Sequence, residues 1–171
     1  MILDERTEFC DATSVVLTAG SAWQNIGDVV DRQAVTGAGA AAPGNVTVDL
    51  GAGQPIYLVI AFTTSVIGST DATGTFALRL VSDTSDNPPH VSSATVHWTG
   101  VTYNTNIAAV AALTAGVRYV AIALPSGDYE RYLGIQCQVT TRNTTAGAID
   151  AFLTLDYNRV KHYVNAIDAT T

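Results

Sequence analysis

Ile56-Tyr-Leu-Val-Ile-Ala-Phe-Thr-Thr64 is the stretch on which the fold turns. It is β-branched and aromatic, and apolar at successive positions, so both faces of the strand it forms must be covered, as at the centre of a sandwich. Further along, Thr75-Phe-Ala-Leu-Arg-Leu-Val81 alternates, with Phe76, Leu78 and Leu80 on one side. The last third of the chain reads as three strands and two turns: Leu113-Thr-Ala-Gly-Val-Arg-Tyr-Val120, Leu124-Pro-Ser-Gly-Asp-Tyr-Glu-Arg-Tyr-Leu133 and Ala146-Gly-Ala-Ile-Asp-Ala-Phe-Leu-Thr-Leu-Asp156. Its strands are expected at 117–124, 132–141 and 149–157. Others are expected at 14–18, 23–30, 46–50 and 94–99. About eight short strands with turn signals every ten or so residues predict an all-β, antiparallel sandwich or barrel.

The connections are as informative as the strands. Gln33-Ala-Val-Thr-Gly-Ala-Gly-Ala-Ala-Ala-Pro-Gly44 supplies neither packing volume nor helix caps, which predicts a long exposed loop over 31–45. Ser82-Asp-Thr-Ser-Asp-Asn-Pro-Pro89 is a turn dense in Asx, Ser and Pro. Gly100–Ala112 is a weakly patterned connection. Tyr157, Val160, Val164 and Ile167 then make a helical stripe, in a segment that packs on its own domain or reaches a neighbour as an arm. The expected organisation is one β-sandwich domain over 1–156 and a C-terminal tail or arm over 157–171.

The charged fraction is 13%, about half of what is usual in globular domains, and Thr, Ala, Val and Gly take its place. A surface so poor in charge is expected to be covered by something else. Seven of the eight basic residues are Arg, the planar cation favoured in protein interfaces, and only Lys161 is Lys. A net charge of −7 argues against nucleic-acid binding, which needs a basic footprint. No basic start followed by an apolar run opens the chain, and no stretch approaches the ~20 apolar residues that span a bilayer, so no membrane partner is expected. Cys10 and Cys137 match no metal or redox spacing and are expected as buried free thiols, with a bridge as the alternative.

Templates for catalysis fail one by one. There is no Gly-x-Ser-x-Gly, and His90, His97 and His162 have no catalytic setting. Histidines and cysteines are scattered, Asp83, Ser85, Asp86 and Asn87 lack the spacing of a calcium loop, and no phosphate-binding glycine motif is present. Asp128 and Glu130 are the best carboxylate pair, but Arg131 beside them reads more simply as the salt-bridge partner of one. No enzyme activity, cofactor or metal is expected.

Several segments carry a likeness to a known family. Met1-Ile-Leu-Asp4, Asp49-Leu-Gly-Ala-Gly-Gln-Pro-Ile-Tyr-Leu-Val59, Leu113-Thr-Ala-Gly-Val-Arg-Tyr119, Leu124-Pro125, Glu130-Arg-Tyr-Leu133 and Thr145-Ala-Gly-Ala148 occur in order along the chain. Together they resemble tailed-phage capsid cement (decoration) proteins of the Bordetella-phage type. The Gly/Ala-rich insert and the tail go beyond that family's pattern. The resemblance implies a jelly-roll fold on the outer capsid surface of the virion, made in the bacterial cytoplasm. It also implies binding to the major capsid protein and to itself, with a dimer favoured over a trimer.

Candidate capsid or subunit contacts are Ile2, Leu3, Asp4 and Arg6 at one end of the chain and Arg159, Lys161 and Tyr163 at the other, with Tyr129, Arg131 and Tyr132 at the turn between the last strands. Alternatives are another phage head or tail component, or a carbohydrate-binding module using Trp23, Trp98, Tyr103 and Tyr129 as its platform.

Overall fold

In a computed structural model, residues 7–20, 22–32, 55–69, 74–84, 93–105 and 111–155 are described. They form nine strands: β1 Glu8–Ser14, β2 Gln24–Asp31, β3 Tyr57–Gly68, β4 Gly74–Asp83, β5 Thr95–Thr99, β6 Tyr103–Thr105, β7 Arg118–Ala123, β8 Tyr132–Thr140 and β9 Thr144–Thr154. A 3-10 turn at Ala111–Leu113 precedes β7. Among the described residues no helix is long and apolar enough to cross a membrane.

The strands make two antiparallel sheets, ordered β1-β9-β3-β7 and β2-β8-β4-β5, with β6 paired to the start of β4. Leaving β6 aside, each strand of the first half is hydrogen-bonded to its mirror in the second: β1 to β9, β2 to β8, β3 to β7 and β4 to β5. This is a long hairpin rolled across two sheets, the connectivity of a jelly roll. The all-β, antiparallel two-sheet expectation holds among the described residues.

Periodicity places the core. Leu58, Ile60 and Phe62 of β3 meet Phe76, Leu78 and Leu80 of β4 between the sheets, all at 0–1% exposure. Ile149, Ala151 and Leu153 of β9 join them, whereas Leu155, next in the same alternation, lies beyond the strand and is 59% exposed. Each such Leu, Ile or Phe contributes about 1.5–3 kcal/mol by leaving water. β3 is also covered on its outer side, where Val59 and Phe152 are cross-strand partners in a smaller cluster of their own.

Several boundaries move. The first strand is Glu8–Ser14, not 14–18, because Ala12 turns to φ 45° and shifts the register against β9 before Val15. The connection after Gly100 contains β6. β9 starts five residues earlier than 149, at Thr144, whose buried hydroxyl donates to Val15 O at 2.7 Å. Asp31 ends β2, and Arg32 is partly buried, so neither belongs to an exposed loop. The rest of that loop, the strand expected at 46–50, and the tail 157–171 lie outside the described residues.

Candidate functional site

One end of the sandwich gathers the side chains with chemistry. The pairing of β8 with β2 and β4 sets Asp31, Tyr132 and Asp83 in one row across the five-stranded sheet. The β7–β8 loop, residues 124–131, folds over this row and is fastened at many points. Arg32 sends its guanidinium to the carbonyl oxygens of Tyr129 and, at 3.2 Å, Glu130, while its own N–H donates to Arg131 O at 2.9 Å. Glu130 N–H donates to Ser82 Oγ at 3.1 Å. Tyr129 closes the loop on itself, its hydroxyl donating to Pro125 O at 2.7 Å.

His97 completes the arrangement. Val96 lies opposite Val81 and Trp98 opposite Leu80, so His97 is the extra residue of a β-bulge in β5. Its ring stacks on Tyr129 with centroids 3.9 Å apart and planes 26° from parallel, and its Nε2 lies 2.7 Å from Ser82 Oγ. Burial, with the nearby Arg32 charge, holds the His97 imidazole below the ordinary histidine range. Burial pushes the Tyr129 phenol up, with Arg32 pulling the other way.

Arg131 reaches outward. It grips Asp31 with two hydrogen bonds, Nε to Oδ1 at 2.9 Å and Nη2 to Oδ2 at 2.8 Å, and its guanidinium carbon lies 4.6 Å from the centre of the Tyr132 ring. The expected pairing of Arg131 with Asp128 or Glu130 is therefore corrected. Strand pairing brings Asp31 beside it from 100 residues away, while Asp128 sits exposed at the loop tip. Tyr132 is buried beneath Arg131, at 8% exposure, and supports the surface without forming it. The outward-facing residues of this loop are Ser126, Gly127, Asp128 and Arg131.

Of the ten candidate contacts, the structure thus brings Tyr129, Arg131 and Tyr132 together. Ile2, Leu3, Asp4, Arg6, Arg159, Lys161 and Tyr163 lie outside the described residues. Sequence reasoning missed Asp31, Arg32 and Ser82 as their partners, since nothing in local spacing joins three separate strand ends. His97 is engaged by Ser82 and Tyr129, while His90 and His162 are outside the described residues.

The carboxylates of this end do not converge into a metal centre. Asp83 accepts from Ser93 Oγ at 2.8 Å, within its own turn. Among the described residues no group of three or more His, Cys, Asp or Glu could hold a metal ion. The four rings named as a sugar platform are each engaged within the domain. Trp98 and Tyr103 both pack edge-on against Tyr119, Arg79 covers Trp23 at 4.3 Å, and His97 covers Tyr129. Cys10 and Cys137 are buried free thiols, so the bridge alternative falls.

A protein-family model described as Bbp16 matches residues 9–153. No curated protein matches the chain.

Proposed function

The chain belongs to the Bbp16 family, whose name marks a Bordetella phage protein, and from that phage-related identity we propose that it is a structural component of the virion, a cement protein that clamps neighbouring capsomers from outside the shell. Its work is binding and not catalysis. The partners in this reading are the major capsid protein and a second copy of the chain.

The observation that carries the reading is the fastened β7–β8 loop. A docking surface gains most when its ordering cost is met before the partner arrives. Here Arg32, Ser82 and His97 hold the loop from behind, while Asp128 and Arg131 face outward. A charge-poor, acidic chain suits the outside of a shell better than contact with packaged nucleic acid. Each contact can be weak, since a subunit gripping two capsomers gains from effective concentration.

The test is fractionation of a native phage lysate on a density gradient, with this chain quantified against the dominant shell protein. Co-migration with heads at near-stoichiometric abundance is expected. Presence at a few copies per particle would assign it to a tail or a head appendage, and presence only at the top of the gradient would remove it from the virion.

A further inference from the structure

We propose that His97 is an acid-sensitive latch on the β7–β8 loop: neutral, it holds the loop against the end of the sandwich, and protonated, it lets the loop go. The latch is a property of the isolated chain; its bearing on capsid docking rests on the function proposed above.

The argument starts from Ser82, which is fully buried. Its oxygen accepts the Glu130 N–H, and its own proton then needs an acceptor. Nε2 of His97, 2.7 Å away, is that acceptor. The ring is therefore neutral, with its proton on Nδ1, the nitrogen that faces Gly127. A single relay runs from the loop backbone through Ser82 to His97, and the same ring stacks on Tyr129 of the same loop.

Protonation breaks the relay. Nε2 can no longer accept, so the proton of the buried Ser82 hydroxyl loses its acceptor, at a cost that opening the loop to water relieves. The new charge also appears near Arg32, whose guanidinium is committed to the Tyr129 and Glu130 carbonyls. Among the described residues, the charged and titratable groups shown against the ring are Arg32 after β2 and Tyr129 in the loop. Burial and Arg32 favour the neutral imidazole in the closed state, so the proton binds better to the released state. Closure is thus fully stable above the ordinary histidine range and weakens as pH falls through it. The bulge gives the device its geometry, since a regular β5 would aim the residue at this position along the strand's alternation and not into the loop.

Side-chain and amide nitrogen NMR of the full chain, titrated from pH 8 to 5, tests this. The expected result is an Nδ1-protonated His97 at pH 8, with a midpoint below that of an exposed histidine. The amides of 126–131 should shift with that same midpoint, and in His97→Phe, which keeps a ring on Tyr129 but binds no proton, those shifts should be lost. A proton on Nε2 at pH 8 overturns the latch. So does a His97 titration that leaves the loop amides unmoved, or a loop titration that persists in His97→Phe. Should that variant fold poorly, the tautomer and the shared midpoint in the unaltered chain decide alone. Failure of head binding would count against the cement reading and leave these spectra unaffected.

Discussion

Gly27 lies so close to Phe9 that a methyl group on its α-carbon would overlap the Phe9 carbonyl oxygen and sit 2.5 Å from Cys10 Sγ. The two residues belong to different sheets, and this approach closes the sandwich along the β1/β2 edge. Gly27 sits at φ 71° where β2 slips register against β8 between Ile26 and Val30. The bulge needs the left-handed backbone, and the neighbouring sheet needs the missing side chain.

Gly27→Ala should accordingly lose about 2–4 kcal/mol, combining backbone strain with overpacking. Gly116→Ala is the control, because Gly116 has φ 79° but open space around it. It should lose only about 1 kcal/mol. Urea unfolding of the two variants separates close approach from backbone conformation.

Tyr119 seals the opposite edge, meeting Phe62, Phe76, Trp98 and Tyr103 within 6.3 Å. Its hydroxyl donates to Val101 O at 2.6 Å and accepts from Leu78 N–H at 3.4 Å. Tyr119→Phe should cost about 1 kcal/mol for the lost hydrogen bonding, and Tyr119→Ala about 3–5 kcal/mol for the cavity. Burial pushes its phenol up to about 12, so ultraviolet titration should show a tyrosine ionising at about that pH in the unaltered chain and one fewer there in Tyr119→Phe.

Burial also pushes the Cys10 thiol up to about 12 and the Cys137 thiol higher still. Thiolate, not thiol, attacks disulfide reagents. Neither residue should react with Ellman's reagent in the folded chain at pH 8, and both should react once urea unfolds it. Zero thiols after unfolding would mean a bridge that the free cysteines contradict.

How much of this was legible follows from sequence distance. β3, β4 and β8 announce themselves, because runs such as Leu58–Phe62 must be covered wherever they lie. β6 does not, since Tyr103-Asn-Thr105 is three residues long and is a strand only because β4 is there to pair with it. The loop residues Tyr129 and Arg131 could be picked out as turn aromatics and cations, but their partners could not. Arg32 read as part of a loop, and Ser82 as the first residue of an Asx-rich turn. What joins them is strand pairing across 48 to 100 residues, and no local pattern encodes it.

Asp150 gives a pH-dependent test. Its carboxylate accepts the Ala12 N–H at 2.7 Å, yet burial, reinforced by Asp11, raises its pKa over that bond's lowering effect. With the folded pKa above the unfolded one, the protonated form is the better tolerated, and stability is lost as pH rises through the folded value. Asp150→Asn keeps an acceptor for Ala12 and should match the unaltered chain below the ordinary carboxylate range. It should be slightly the more stable at pH 7, by thermal unfolding at both pH values.

The ion pair of Arg131 with Asp31 separates stability from docking. Its side chains are 41% and 28% exposed, so Arg131→Ala should cost at most about 1 kcal/mol of stability. If the fastened loop meets the shell, the same change should weaken binding to heads stripped of this chain by about tenfold or more, as for a central interface arginine. Arg142→Ala, in the exposed β8–β9 turn, should leave binding unchanged. The sharper experiment is the exchange Asp31→Arg with Arg131→Asp. It preserves the attraction between the two positions, so stability should recover relative to either single reversal. It also inverts what the capsid meets, so docking should not recover. Recovery of both would mean that the pair serves only the fold and that the shell is gripped elsewhere.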